Sequence, residues 1–490
     1  MKITTLPIIL CFGSAIYGAP DYPSNPAGNP FVSGLYADPD GGFFNNQYWV
    51  YPSHSEDAKQ TGFDAFSSPD LIHWTKHTDV LTRANFKWAE KAFFAPSSIE
   101  RNGSFYLFFS AQFPIGNGNY LDGIGVGISS NPSGPFTDAI NGTIVAGINN
   151  NAYSMDQQVF VDDDGQTYMY WGSGSHCNVA KLASNLTALT PFADGSTIKE
   201  ITPDPQFVEG VYVFKRNGHY YMLWSEGLYG GDSYSVAYGM ASSPMGPFTR
   251  REKILQSDYA VATGTGHNGL LHPPNTDIYY IVYHRHPLHY TAWDDRQLAY
   301  DRLHFNPDGT IQPVKLLVRD NFDDGNMLGW TTHGGSWDAS SGSLVGGNSA
   351  GGKALLNTNF GDVGCDVRVT IRGGSHGGDA GFLFHVGDDV GDGSDDYQGY
   401  YAGISTMGYV VLGRANHGQW SELGRVQRGV SADVAHLLRV RVTGDLIEVL
   451  LDDMSKSVIS VHDGTYRSGK TGVRVFYTEA IFDDVVFEHI

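Results

Sequence analysis

Three carboxylic acids and a histidine stand at matched places along this 490-residue chain. Asp38, Asp156, Glu209 and His267 each precede, by 11 or 12 positions, an aromatic residue that follows a turn, and Ala95 fills the one remaining slot. Carboxylates gathered in one pocket repel each other, so at least one pKa rises while others stay ionised. A protonated acid beside an ionised base is what cleavage of a glycosidic bond requires: the acid protonates the leaving oxygen and the base activates water on the opposite face. The same Asp/Asp/Glu/His set is also a metal-ligand set. Taken singly, each acid reads as a surface or turn carboxylate, and the shared register argues against that for the set. Glu209 sits between Val208 and Gly210, apolar neighbours that favour a raised pKa and suit a general acid. Asp38 follows Gly34-Leu35-Tyr36-Ala37, where a strand would present it at a pocket floor. Asp156 stands ahead of Asp162-Asp163-Asp164-Gly165, which lacks the spaced ligands and distal Glu of a calcium loop and reads as a hairpin turn.

The elements that must carry these residues repeat five times. Turn residue and aromatic pair as Asn45/Trp49, Asn102/Tyr106, Asp164/Tyr168, Asn217/Tyr221 and Asn275/Tyr279, with the aromatics 57, 62, 53 and 58 residues apart. Each unit reads as a hairpin, and a second punctuation such as Ser67-Ser68-Pro69 leaves room for about four strands per unit. Five such units form a five-bladed β-propeller over residues 28–316, with a generic β-sandwich as the alternative. Equivalent positions in successive blades share one radius and height, so the matched acids should converge near the axis. Beyond Pro313 a Gly/Ser/Asp-rich stretch leads into alternating strands at 365–371, 408–412, 436–442 and 446–451. These give a C-terminal antiparallel β-sandwich over residues 320–490, jelly-roll or lectin-like in topology. The fold class is all-β. The cluster Asp388, Asp389, Asp392, Asp395 and Asp396 offers a calcium site or a solvated acidic loop, and the second is the favoured reading.

Composition closes off other classes. With 41% hydrophobic and 17% charged residues, 61 Gly and 22 Pro, the chain is no disordered tail, coiled coil or collagen-like fibre. Its 31 basic and 52 acidic residues leave a formal charge of −21, which lacks the basic footprint of a nucleic-acid binder. Anionic membranes are disfavoured for the same reason, whereas a neutral carbohydrate meets little penalty. The apolar run at residues 3–17 is too short to span a bilayer and reads as a secretory signal peptide, removed within residues 1–19. Cys11 leaves with it, and Cys177 and Cys365 cannot make a disulfide framework or a zinc cluster. Sequons at Asn102, Asn141 and Asn185 fit a secreted glycoprotein.

Tyr36-Ala37-Asp38-Pro39, Ser154-Met155-Asp156, Val208-Glu209-Gly210 and Gly266-His267-Asn268-Gly269, in this order and spacing, resemble the motifs of glycoside hydrolase family 43 over residues from about 30 to 315. The resemblance implies an inverting glycosidase in which Asp38 is the general base, Glu209 the general acid, and Asp156 tunes and orients the acid. No cofactor is implied for the chemistry. His267 resembles an axial histidine that helps hold a water-ligated structural calcium in the channel. Arg296 resembles an arginine aimed at the sugar, its other reading being a surface ion pair. Phe94-Ala95-Pro96 departs from the Trp-Ala-Pro of many members, so Phe94, with Trp88 six residues earlier, is the candidate apolar wall beside the sugar. The C-terminal domain resembles the sandwich behind some fungal arabinofuranosidases of this family. The expectation is a secreted, monomeric, exo-acting α-L-arabinofuranosidase on arabinoxylan or arabinan, with β-D-xylosidase and exo-galactanase as enzymatic alternatives and a propeller lectin as the non-enzymatic one. Its partner would be plant cell-wall polysaccharide, with no nucleic acid and no membrane.

Overall fold

The computed structural model describes residues 29–55, 60–348, 350–373 and 378–490; the expected signal peptide lies outside them. Their regular structure is all strand, apart from one 3-10 turn at Arg83–Asn85. Five antiparallel sheets follow one another through residues 36–303 as the blades of a propeller. In each, the marker turn joins the innermost strand to the second, as in Glu209–Arg216 and His219–Glu226.

Period-2 alternation then supplies the packing. In the second strand of the first blade, Trp49 and Tyr51 enter the core shared with blade two, while Tyr48 and Val50 enter the core shared with blade five. Tyr168 and Tyr170 face blade four while Met169 and Trp171 face blade two. Tyr221 and Leu223 face blade five. Tyr279 breaks the pattern. It packs against Phe214 of blade four, at 5.6 Å between centroids with the planes tilted by 41°, and Tyr280 faces blade one in its place. One residue of slip exchanges the two faces of a strand, so the fifth marker is out of phase with the others.

The count of four strands per blade holds for the first and fourth; the second and third have five, and the fifth has three. The open edge of the fifth is partly covered, because the Phe31 and Tyr36 amides donate to the Leu298 and Arg296 carbonyls. The N-terminal segment therefore ties the first blade to the last and protects an edge that would otherwise template foreign pairing.

Residues 318–488 form two antiparallel sheets of eight and seven strands. They enclose Val367, Phe382, Val440 and Phe482, and the anticipated strand Leu446–Leu451 is present. Asp388, Asp389 and Asp392 are exposed, as expected of a solvated loop, whereas Asp395 and Asp396 are half-buried. Asp388 pairs with Lys470 at 3.0 Å and Asp395 with Arg474 at 3.2 Å. Cys177 and Cys365 are buried free thiols.

Candidate active site

The backbone marks the hub once per blade. Asp38, Ala95, Asp156, Gly210 and His267 all take a left-handed conformation, with φ of 48, 45, 56, 65 and 43°. In four of the blades the ladder to the second strand also loses register there, between Ala37 and Asp40, Phe94 and Ser97, Glu209 and Tyr212, and Thr263 and Gly269. A bulge re-aims the side chain beside it, and here it turns each slot toward the axis. Glu209 stands one residue before its blade's left-handed position, which a glycine occupies.

Around Asp38 Oδ1 stand His267 Nδ1 at 3.3 Å, His284 Nδ1 at 3.3 Å and Arg296 Nη1 at 3.4 Å. The Asp38 amide also donates to His284 Nδ1 at 3.2 Å. One nitrogen cannot accept from the amide and donate to the carboxylate together. We assign it as the acceptor, since the amide N–H is aligned on it, which leaves His284 neutral with its proton on Nε2. Burial alone would raise Asp38, but the charges of His267 and Arg296 outweigh it and hold the carboxyl well below the usual carboxylate range. Burial, against the pull of Asp38, pushes His284 down to about 3. Asp156 moves the opposite way. Burial, and then the negative charges of Glu209, Asp38 and Asp122, push its carboxyl well above the usual range. The cluster thus holds one acid ionised and another protonated.

Glu209 is half-buried in polar company, unlike its chain neighbours Val208 and Gly210. The Tyr234 hydroxyl donates to Oε1 at 2.9 Å and the Ser173 hydroxyl to Oε2 at 3.0 Å. Both donors come from loops that follow a blade's second strand. Because the innermost strand leaves the hub and the second returns, these loops open over the acids. Tyr234 reaches across because Gly266 faces it, where any Cβ would fall 2.2 Å from the tyrosine ring. Its ring stacks on His284 at 5.4 Å. Sequence reasoning missed Ser173, Tyr234 and His284. Only His284 left a signal, as part of His284-Arg285-His286, a polar run inside the strand Tyr279–Pro287, where six preceding or coincident residues are fully buried.

Arg296 is 5% exposed and also donates through Nε to Ser55 Oγ at 2.9 Å, so the surface-ion-pair alternative falls. Trp88 packs on blade two: it stacks on Phe109 at 5.9 Å and covers Gly125, where a Cβ would meet its ring at 2.4 Å. Half-buried against its own blade, its ring is taken up by this packing rather than turned to a sugar. Phe94 is half-buried, one residue before the hub's Ala95. His267 directs Nδ1 at Asp38. Among the described residues no three His, Cys, Asp or Glu side chains form a metal-binding group. Calcium takes six to eight oxygen ligands, and the single imidazole of His267 supplies none of them, so a calcium held here would take its oxygens from water, as in the water-ligated site that the resemblance implies.

The profile of the glycosyl hydrolases family 43 matches residues 27–311, all five blades. A β-D-galactofuranosidase of Aspergillus niger is 43% identical over 306 residues, covering 60% of this chain and 86% of that protein. Xylosidase/arabinosidase 43A of Humicola insolens is 28% identical over 289 residues, 46% of this chain and 82% of its own. Among solved structures, a thermostable family-43 glycoside hydrolase superimposes with a TM-score of 0.50 at 24% identity, over 59% of this chain and 96% of that one, a likeness that speaks for the fold alone. Acids gathered at the hub of a propeller and a match that runs through every blade share one explanation: the chain belongs to glycosyl hydrolase family 43, the inverting glycoside hydrolases.

Proposed function

We propose that this glycoside hydrolase is an exo-acting furanosidase whose first substrate is the α-L-arabinofuranosyl side group of arabinoxylan or arabinan. One buried cluster that keeps Asp38 ionised while retaining a proton on the coupled Asp156–Glu209 pair carries the reading. Asp38, kept ionised by His267 and Arg296, takes a proton from the attacking water. Glu209, oriented by Tyr234 and Ser173, protonates the leaving oxygen. Asp156 shares with Glu209 the one proton that burial and their mutual repulsion retain on the pair, and it is this proton that Glu209 delivers, while Phe94 offers an apolar wall to the sugar. Water attacks opposite the leaving group, so the anomeric centre inverts. These proton transfers need no cofactor.

The Humicola relative's name, xylosidase/arabinosidase, supports arabinose alongside xylose, and the Aspergillus relative supports β-D-galactofuranosides as a second reading. The two fit one pocket: β-D-galactofuranose has the ring configuration of α-L-arabinofuranose and one further hydroxymethyl-bearing carbon. We also place the protein outside the cell. The apolar run at residues 3–17 supports this, as do the sequon residues Asn102, Asn141 and Asn185, all exposed.

The test is hydrolysis of arabinan, arabinoxylan and defined galactofuranosides, with proton NMR of the first product anomer. Arabinose or galactose of inverted configuration is expected; a retained anomer, or xylose alone, overturns the reading. Asp38→Asn and Glu209→Gln should each cut kcat about a thousandfold with little change in Tm. Parent-like turnover in both would sink the site assignment, and a parent that binds glycan without turnover would be a lectin.

A further inference from the structure

Two loops over the acids are built alike. The loop at residues 227–234 ends at Tyr234, which donates to Glu209, and carries Tyr229 near its tip. The loop at 288–296 ends at Arg296, which holds Asp38, and carries Trp293 near its tip. Tyr229 and Trp293 are 44 and 45% exposed, yet their rings meet edge to face, with centroids 5.6 Å apart and planes at 79°. The Arg296 guanidinium carbon lies 5.7 Å from the centre of the Tyr229 ring.

The corner is held in place. His286 Nε2 donates to the Trp293 carbonyl at 3.1 Å. The Asp295 carboxylate accepts from the Thr291 and Ala292 amides, each at 2.9 Å. The two loops approach so closely that a Cβ on Gly230 would lie 3.1 Å from Trp293 Cβ. Fixed aromatic faces left in solvent mark a surface that something else covers.

We propose that Tyr229 and Trp293 bind the leaving-group sugar, the ring to which the cleaved residue is attached. The inference rests on the glycosidase reading above. A terminal sugar seated on the acid cluster puts its glycosidic oxygen at Glu209, and the remainder of the substrate emerges past the loop that carries Tyr234 and Tyr229. The C–H face of a neutral sugar ring packs on an indole or phenol face, and two rings at right angles enclose one sugar rather than a flat run of chain. These residues therefore select what the terminal sugar is attached to.

The test compares two substrates that share one terminal furanose: an oligosaccharide, and the methyl glycoside, whose leaving group is too small to fill the corner. In the full chain, Trp293→Ala should raise KM for the oligosaccharide and lower the ratio of kcat/KM, oligosaccharide over methyl glycoside, about tenfold. Tyr229→Ala should shift the ratio the same way, and Trp293→Phe should recover most of it. An equal proportional change on both substrates, or none on either, overturns the inference. A parent that cleaves neither fails the glycosidase reading and takes the corner with it; a parent that cleaves both, with variants that do not discriminate, fails the corner alone.

Discussion

Asp38 and Asp156 are the same side chain with opposite charge states, and the difference lies in what faces each. Asp38 meets His267 and Arg296; Asp156 meets the negative charges of Glu209, Asp38 and Asp122. The acids themselves were legible in the sequence, because a repeated slot made them stand out. Tyr234 and Ser173 were not, because a single hydroxyl residue in a loop carries no pattern. His284 makes this scale testable through pH. Its folded pKa of about 3 lies below the ordinary 6.5, so between those values the unfolded chain binds a proton that the folded protein refuses. Its contribution is complete above pH 6.5 and is lost as pH falls toward 3, roughly 3 kcal/mol by pH 4. His284→Asn, whose amide oxygen can still accept from the Asp38 amide, should show a smaller fall in Tm from pH 7 to pH 4 than the parent. An equal or larger fall would contradict the neutral, buried state assigned to His284.

At the scale of the element, the left-handed residue in each innermost strand is the device that turns a slot toward the axis. Hairpin turns and alternation were readable from neighbouring residues, since a tight turn and a strand face are decided within a few positions. The three-stranded fifth blade and the slipped Tyr279 were not, because edge cover and register depend on the partner strand. Gly210 shows the backbone constraint most sharply. At φ of 65° a Cβ would stand 3.0 Å from Ser225 Oγ and 3.3 Å from His267 Cγ, and Ser225 Oγ also accepts the His267 amide at 2.9 Å. Gly210→Ala should cost about 1–3 kcal/mol, seen as a Tm lower by a few degrees, and should reduce kcat by displacing His267 from Asp38. Parent-like values of both would show that the bulge tolerates a side chain.

Across the whole molecule, one apolar cluster runs from blades four and five through Val318 and Phe322 into the sandwich. Hydrogen bonds from Asn359 to the Ala260 carbonyl and from Asn357 to the Leu288 carbonyl, both 2.9 Å, bridge the same boundary. Propeller and sandwich should therefore unfold together, as one calorimetric transition. Phe322 is fully buried, and Phe322→Ala should cost about 3–5 kcal/mol and split that transition in two. A single transition that persists at a lower temperature would place the coupling in other contacts. The repeat, the all-β class and the acids in register could be read from the chain because each depends on residues close in sequence or on a period that local turns enforce. Charge states could not. Arg296 and Asp38 are 258 residues apart, and a pKa answers to burial and distance through space, which exist only once the blades have closed around the axis.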